Sequence, residues 1–347
     1  MGRKVLDRRP TRVPDETEAH VNSHSWIGRG VAALLLATVA ATAVGEDTRR
    51  MGVLYTGSQA SITPLENIMV ETLRDKGFVE GRNLVITRRY ADGDMKRLAA
   101  YADEMAATKP EVVVTMCTPS TRAMSAASNS IPIVMGMISD PVGQQLITSL
   151  AHPGRNVTGS ANLYEEVVPK MLEVLASVLP KGAHVAVLSN TANVAHQRLW
   201  PIAEETAKHL QISLIRFEVT APTAIPGVLE SMLANRVEAI FIFPDDPVLA
   251  GRGALINQFA MQHRLPTIYS AREFAESGGL LSYGTSFAEG YRQAGTYVDR
   301  ILKGAKPADL PVSQPTQVEL TINMRTARAI GVAIPDALRL RAERVIE

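Results

Sequence analysis

Residues 131–163 read IPIVMGMISDPVGQQLITSLAHPGRNVTGSANL, and this stretch decides the fold. Its apolar run, 133–137, has the length and content of a buried strand. Ser139-Asp140-Pro141 then makes a polar turn, and 142–150 is expected to form a short helix. A Pro153-Gly154 turn follows, and 156–163 is extended. A strand that ends in a polar turn at a helix N-terminus is how open α/β sheets hold small ligands. An extended exit with no helix behind it predicts a chain crossing from one lobe to another. The stretch is therefore expected to carry half of a binding site and one strand of a hinge.

Working outward, strands and helices alternate on both sides of it. The spacing predicts strands at 50–55 (RMGVLY), 83–90 and 111–116. Between them lie helices at 64–76, 94–108 and 119–127, the second with Leu98, Tyr101, Ala102 and Met105 at helical spacing. Strand–helix alternation of this kind is the pattern of a parallel, doubly wound sheet. The pattern restarts after 163. Helices are expected at 165–179, 195–210, 224–235, 249–263 and 272–276. Strands are expected at 184–189, 212–219, 239–243, 266–269 and 279–283. The tail departs from the alternation: a long amphipathic helix at 287–303, a Pro-rich extended piece at 307–315, a strand at 317–322, and helices at 324–330 and 335–345. Two α/β units of similar size thus lie end to end.

Composition agrees with a two-domain globular protein. The chain has 347 residues, 46% of them hydrophobic. Its 36 basic and 35 acidic side chains are interspersed and nearly cancel, without the basic cluster a nucleic-acid surface needs. Residues 31–44 (VAALLLATVAATAV) are uniformly small and apolar, too short for a comfortable permanent span, flanked by Arg29 and closed by Ala41-Thr42-Ala43. They predict a cleaved signal peptide over 1–43, ending at Ala43. Cys117 is the chain's single cysteine, so no intramolecular disulfide forms, and no lipid-anchoring Cys follows the apolar run. Cys117 reads as a packed small hydrophobe at a strand end. The expected location is the periplasm, with no lipid anchor.

Several segments together carry a family resemblance. They are Gly77-Phe78-Val79-Glu80-Gly81-Arg82-Asn83, Cys117-Thr118-Pro119-Ser120, Ile131-Pro132-Ile133-Val134 and Ser139-Asp140-Pro141-Val142-Gly143. With them go Pro153-Gly154-Arg155-Asn156-Val157-Thr158-Gly159 and Lys303-Gly304-Ala305-Lys306-Pro307-Ala308-Asp309-Leu310-Pro311. In this order and spacing the chain resembles substrate-binding proteins of ABC transporters with the type I periplasmic fold, within the family that includes tryptophan- and tyrosine-binding members. The resemblance implies two Rossmann-like lobes joined by three crossovers, with a small ligand in the cleft and a membrane permease as partner. Candidate crossovers are 157–163, 283–286 and 311–315. The lobes are then discontinuous: 48–160 with 285–312, and 161–284 with 313–347. The loops at 57–61 and 190–193 carry no aromatic side chain, which speaks against an indole stacking there.

In parallel sheets ligands meet the carboxyl ends of the strands. That rule selects Ser58, Gln59, Thr118, Ser120, Ser139 and Asp140 in the first lobe. In the second it selects Asn190, Asn193, Asp245, Asp246, Ser270, Arg272 and Glu273, with Tyr283 beside a crossover. Thr118-Pro119-Ser120 opens a helix, so its hydroxyls and free N–H groups suit a carboxylate, or serve as an ordinary cap. Of Asp245 and Asp246, one is expected to cap the following helix and the other to face a ligand ammonium or hydroxyl. Asp140 has the same two readings. Arg272 suits an anionic ligand or a solvated surface.

Catalytic signatures are missing. The seven histidines form no metal-binding spacing, and the chain has no G-x-S-x-G elbow, Walker loop or G-x-G-x-x-G turn. No cofactor, no metal and no nucleic-acid partner is expected. The reading is a monomeric, non-enzymatic solute-binding protein that passes an amino acid or similar polar solute to an ABC importer. An extracytoplasmic sensing module and an exported α/β enzyme are the alternatives.

Overall fold

A computed structural model describes residues 48–347 apart from 316. The expected leader, 1–43, lies outside the described residues. The chain forms two sheets. The first has the order β2-β1-β3-β4-β5, from β1 (Arg49–Tyr55), β2 (Leu84–Tyr90), β3 (Val112–Thr115), β4 (Ile133–Ser139) and β5 (Val157–Asn162), and every pairing in it is parallel. Helices α1 (Gln59–Asp75), α2 (Met95–Ala107) and α3 (Thr118–Ala127) make the connections.

Both faces of this sheet are covered, which is why its strands read as apolar runs. Met69 and Leu73 of α1 pack with Met51, Val53 and Tyr55 on one face. Leu98, Ala102 and Met105 of α2 pack with Leu54 and Val113 on the other. Neighbouring residues of β1 thus serve opposite faces, the period of two that a strand imposes. Each fully buried Leu or Met side chain here contributes roughly 1.5–3 kcal/mol.

The second sheet is seven-stranded, in the order β12-β11-β10-β9-β8-β6-β7. Its strands are β6 (His184–Ser189), β7 (Ser213–Glu218), β8 (Ala239–Ile242), β9 (Thr267–Tyr269), β10 (Leu281–Gly284), β11 (Glu319–Asn323) and β12 (Arg344–Ile346). Only the β10–β11 pair is antiparallel. Helices α4 (Tyr164–Ala176) and α5 (Val194–Leu210) cover one face. Helices α6 (Ile225–Ala234), α7 (Pro247–Ala250) and α8 (Gly253–Gln262) cover the other. The short α9 (Arg272–Glu276) lies between β9 and β10. Taken from β7 to β10, the order repeats that of the first sheet.

The chain passes between the sheets three times. It leaves β5 for α4, and leaves β10 for α10 (Phe287–Leu302), whose Tyr291, Ala294 and Val298 join the first sheet's core. The third passage returns to β11 beside β5. There the Ser313 N–H donates to Gly159 O (3.0 Å), the Ala161 N–H donates to Ser313 O (3.0 Å), and the Thr158 hydroxyl donates to Leu310 O (2.7 Å).

Several expected elements differ. Residues 142–150 form turns rather than a helix. Gln145 takes φ +60°, and both Leu146 N–H and Ile147 N–H reach back to Pro141 O, so Leu146 and Ile147 tuck into the core. The segment expected as a helix at 335–345 is α12 (Asp336–Leu340) followed by β12. The open edge of β11 supplies pairing partners there, Thr321 opposite Arg344, and tertiary pairing overrides local helix preference. The helix expected at 249–263 divides into α7 and α8 around Gly251 and Arg252. Helix α1 begins at Gln59, capped by Ser58, with Pro64 inside it rather than at its start. The remaining tail helix, α11 (Met324–Ile330), has the bounds the spacing predicts.

Candidate functional site

The carboxyl ends of the two sheets face one another, and a cavity of about 560 Å³ lies between them. Residues from both sheets' loops line it. Ile62 and Leu65 of α1, Met116 and Cys117 after β3, Met137 of β4, and Phe287 and Tyr291 of α10 come from the first-sheet side. Tyr164, Phe243, Asp245, Asp246, Tyr269, Ser270, Glu273 and Phe274 come from the second. Met137 reaches the cavity because β4 is bulged between Met135 and Ile138 and the residue adopts φ +55°.

The walls are aromatic. Tyr269 stacks on Phe274 with ring centroids 4.7 Å apart, and Phe287 meets Phe274 edge-to-face at 5.6 Å. The loops at 57–61 and 190–193 supply none of this surface. Aromatic residues reach it from strand ends and helix starts scattered over the chain, so the argument against an indole from those two loops does not hold for the cavity as a whole.

The pair Asp245-Asp246 divides its work. Asp246 caps α7, its Oδ1 accepting from Val248 N–H (2.9 Å) and Leu249 N–H (3.1 Å). Asp245 sits in the left-handed region at φ +63°, which Asp tolerates better than most residues and which turns its side chain away from that helix. Its carboxylate crosses to the first-sheet side. Oδ1 accepts from Thr118 N–H (3.1 Å), and Oδ2 accepts from the Thr118 hydroxyl (2.5 Å) and Ser139 N–H (3.3 Å). The start of α3 therefore does hold a carboxylate, and it is the protein's own. Burial pushes the Asp245 carboxyl from 3.8 up to about 7, against the pull of the Thr118 and Ser139 donors and with a further push from the charge of Asp246.

Supporting contacts fix that arrangement. Asn193 caps α5 through Oδ1 and donates its amide to Asp245 O (2.6 Å). His196 is buried, accepts at Nδ1 from Asn190 N–H (2.8 Å) and lies 2.7 Å by Nε2 from Pro244 O, which assigns the neutral ring with its proton on Nε2. Burial lowers its pKa accordingly. Asn190 Oδ1 accepts from Ala192 N–H (3.0 Å), closing its own turn. Cys117 is buried against the Thr56 (3.2 Å) and Ser120 (3.1 Å) hydroxyls, and burial pushes its thiol up to about 12. That is the packed, unreactive cysteine expected.

Other candidates stand away from the cavity. Ser58 caps α1, and its neighbour Ser61 lines the cavity instead; Gln59 is exposed. The Ser120 hydroxyl turns back to Cys117. Asp140 accepts from Gly143 N–H (2.8 Å) and pairs with Arg198 of α5 at the rim between the two sheets. Arg272 pairs with Glu319 (3.2 Å), and Tyr283 packs against the second sheet's core. Sequence reasoning missed Tyr164, Phe243, Tyr269, Phe274, Phe287 and Tyr291. The last residues of strands and first residues of helices carried the signal, but apolar residues there look the same whether they face core or cavity. No described helix is long and apolar enough to cross a membrane, and no cluster of metal-binding side chains occurs among the described residues.

Two sheets of like order, with an aromatic-lined cavity between their carboxyl ends, define a two-sided small-molecule-binding α/β protein. Comparison with known proteins narrows the class. Residues 52–346 match the model of the ABC transporter substrate binding protein family, and the chain belongs to that family. A tyrosine-binding protein of Clostridioides difficile (strain R20291) is 24% identical over 284 residues, 82% of this chain and 81% of that protein. Among solved structures, a conserved domain protein of Vibrio cholerae superposes with a TM-score of 0.78 at 26% identity, over 86% of this chain and 99% of its own. An ABC domain of Streptococcus pneumonia in complex with L-Trp has a TM-score of 0.75 at 24% identity, over 86% of this chain and 100% of its own.

Proposed function

We propose that this chain captures a small molecule with a flat apolar body, an aromatic amino acid or a close relative, and delivers it to the permease of an ABC importer. The cavity carries the reading. Its volume lies within the range of small-molecule sites, and its walls are stacked aromatic rings with few polar groups. The lobes would be 48–160 with 285–312, and 161–284 with 313–347. The passages at 157–163, 283–286 and 311–315 would act as hinge strands between them. Closure over the ligand would stabilise the shape that docks on the permease, so capture and signalling are one population shift. The apolar run at 31–44 supports export to an extracytoplasmic space, where such a protein works as a monomer.

A thermal-shift screen of the purified protein tests this. Aromatic amino acids are expected to raise Tm, by mass action on the folded form, while small carboxylates and purines leave it unchanged. Shifts with carboxylates or purines and none with aromatic amino acids would overturn the ligand class. A shift with nothing in the screen would overturn the capture reading.

A further inference from the structure

Three carboxylates line the cavity, Asp245, Asp246 and Glu273, and among the described residues no lysine, arginine or histidine lines it. Their oxygens are not equally free. Both oxygens of Asp245 are taken by Thr118 and Ser139. Asp246 is taken by the first turn of α7, with its second oxygen 3.4 Å from the Asn193 amide. Glu273 differs. Its Oε1 accepts from the Ser286 hydroxyl (3.0 Å) and Ala288 N–H (3.2 Å), at the second passage between the sheets and the first turn of α10. Its Oε2 is buried and has no hydrogen-bond partner.

A buried carboxylate oxygen without a donor is costly, and native structures rarely leave one unless something else supplies the donor. The oxygen belongs to a residue lining a cavity that holds no positive side chain to balance it. Resting on the reading that the cavity takes an aromatic ligand, we infer that Glu273 Oε2 is the acceptor for the ligand's protonated amine, so the substrate class is an aromatic amine in which the ammonium is required and the carboxylate is not. The second half of that statement follows from Asp245. The helix start that suits a carboxylate, at Thr118, is already filled by the protein's own side chain. A ligand carboxylate has no cationic side chain to meet in this arrangement. Through Oε1 the same glutamate holds the passage between the sheets, so filling Oε2 orders a group that already ties α9 to α10.

The test compares three probes: tyrosine, tyramine, which lacks the carboxylate, and hydroxyphenylpropionate, which lacks the amine. Each is titrated calorimetrically into the wild type and Glu273→Gln. Glutamine keeps an oxygen for Ser286 and Ala288 and replaces the free oxygen by a donor, so the fold and its melting temperature should persist. Tyrosine and tyramine are expected to bind the wild type, with hydroxyphenylpropionate at least about tenfold weaker. Glu273→Gln should weaken both amines by about ten- to a hundredfold while leaving hydroxyphenylpropionate unchanged, a selectivity that mere structural damage would not produce. If the acid binds as well as the amines, or the variant weakens all three alike, the inference falls while the proposed aromatic site stands. If tyrosine alone binds and the variant holds it equally well, the inference also falls. If none of the three binds the wild type, both the inference and the proposed ligand class are overturned.

Discussion

The carboxylate of Asp245 and the first residue of α3, Thr118, meet between the two sheets, 127 positions apart in the chain, through the Thr118 hydroxyl (2.5 Å) and its N–H (3.1 Å). Each residue belongs to the loops of a different sheet. The contact therefore ties the two sides directly, at the point where helix dipole and free N–H favour a negative group. On the proposed reading it holds the protein closed without ligand.

Removing that tie should loosen the closed form. At about pH 5, Asp245→Ala leaves the Thr118 and Ser139 N–H groups without their acceptor and is expected to lower stability by about 1–3 kcal/mol. Small-angle scattering should show a larger radius of gyration. Arg198→Ala, which breaks the rim pair with Asp140, is the comparison. Arg198 is 44% exposed in its side chain, so the loss should stay below about 1 kcal/mol. Equal effects from the two variants in urea denaturation would remove Asp245 from this role.

The same carboxyl sets a pH dependence. Asp245 ionises near 3.8 when free and near 7 in the folded protein. Between those values the unfolded chain has given up a proton that the folded form still holds. Stability therefore falls as pH rises from about 4 to about 7, and the fall levels off above the folded value. Its usual counterpart, a carboxylate with a depressed pKa, would do the reverse. Melting temperatures across that range should decline more steeply for the wild type than for Asp245→Ala, and the gap between the two should narrow as pH rises. Parallel curves would show that another group is responsible.

Gly159 tests the first passage. It lies in β5 at φ +131°, and a Cβ there would overlap the carbonyl oxygen of Met135 on β4. It also accepts the Ser313 N–H, which links the first and third passages. Gly159→Ala combines a disfavoured backbone with a backbone collision, so it should cost about 2 kcal/mol or more. A melting temperature within a degree or so of the wild type would contradict that geometry.

Much of the architecture is legible in the sequence. Alternating apolar runs and helical spacings placed most strands and helices, because both faces of a parallel sheet are buried and leave apolar residues in place of alternation. The rule that ligands meet strand carboxyl ends selected Asp245, Asp246, Ser270 and Glu273, which line the cavity, and Thr118, which does not line it but holds Asp245. It also selected Asp140 and Arg272, whose side chains turn to ion pairs with Arg198 and Glu319. Position at a strand end was thus readable, but the direction of the side chain was not.

By itself, the sequence determined two successive α/β units and a polar start to α3, since each follows from local period, turn residues and helix caps; three passages between the units were what the family resemblance implied. Residues 131–163 carry one passage between the sheets but only Met137 of the cavity lining, and the helix expected at 142–150 is a set of turns closed on Pro141. The tertiary structure alone decided which aspartate faces across the cavity, because that rests on a left-handed backbone at Asp245 and a partner 127 positions away. It alone brought Tyr269, Phe274 and Phe287 together as one wall, since an apolar residue at a strand end is suited to core and to ligand alike until its neighbours are in place.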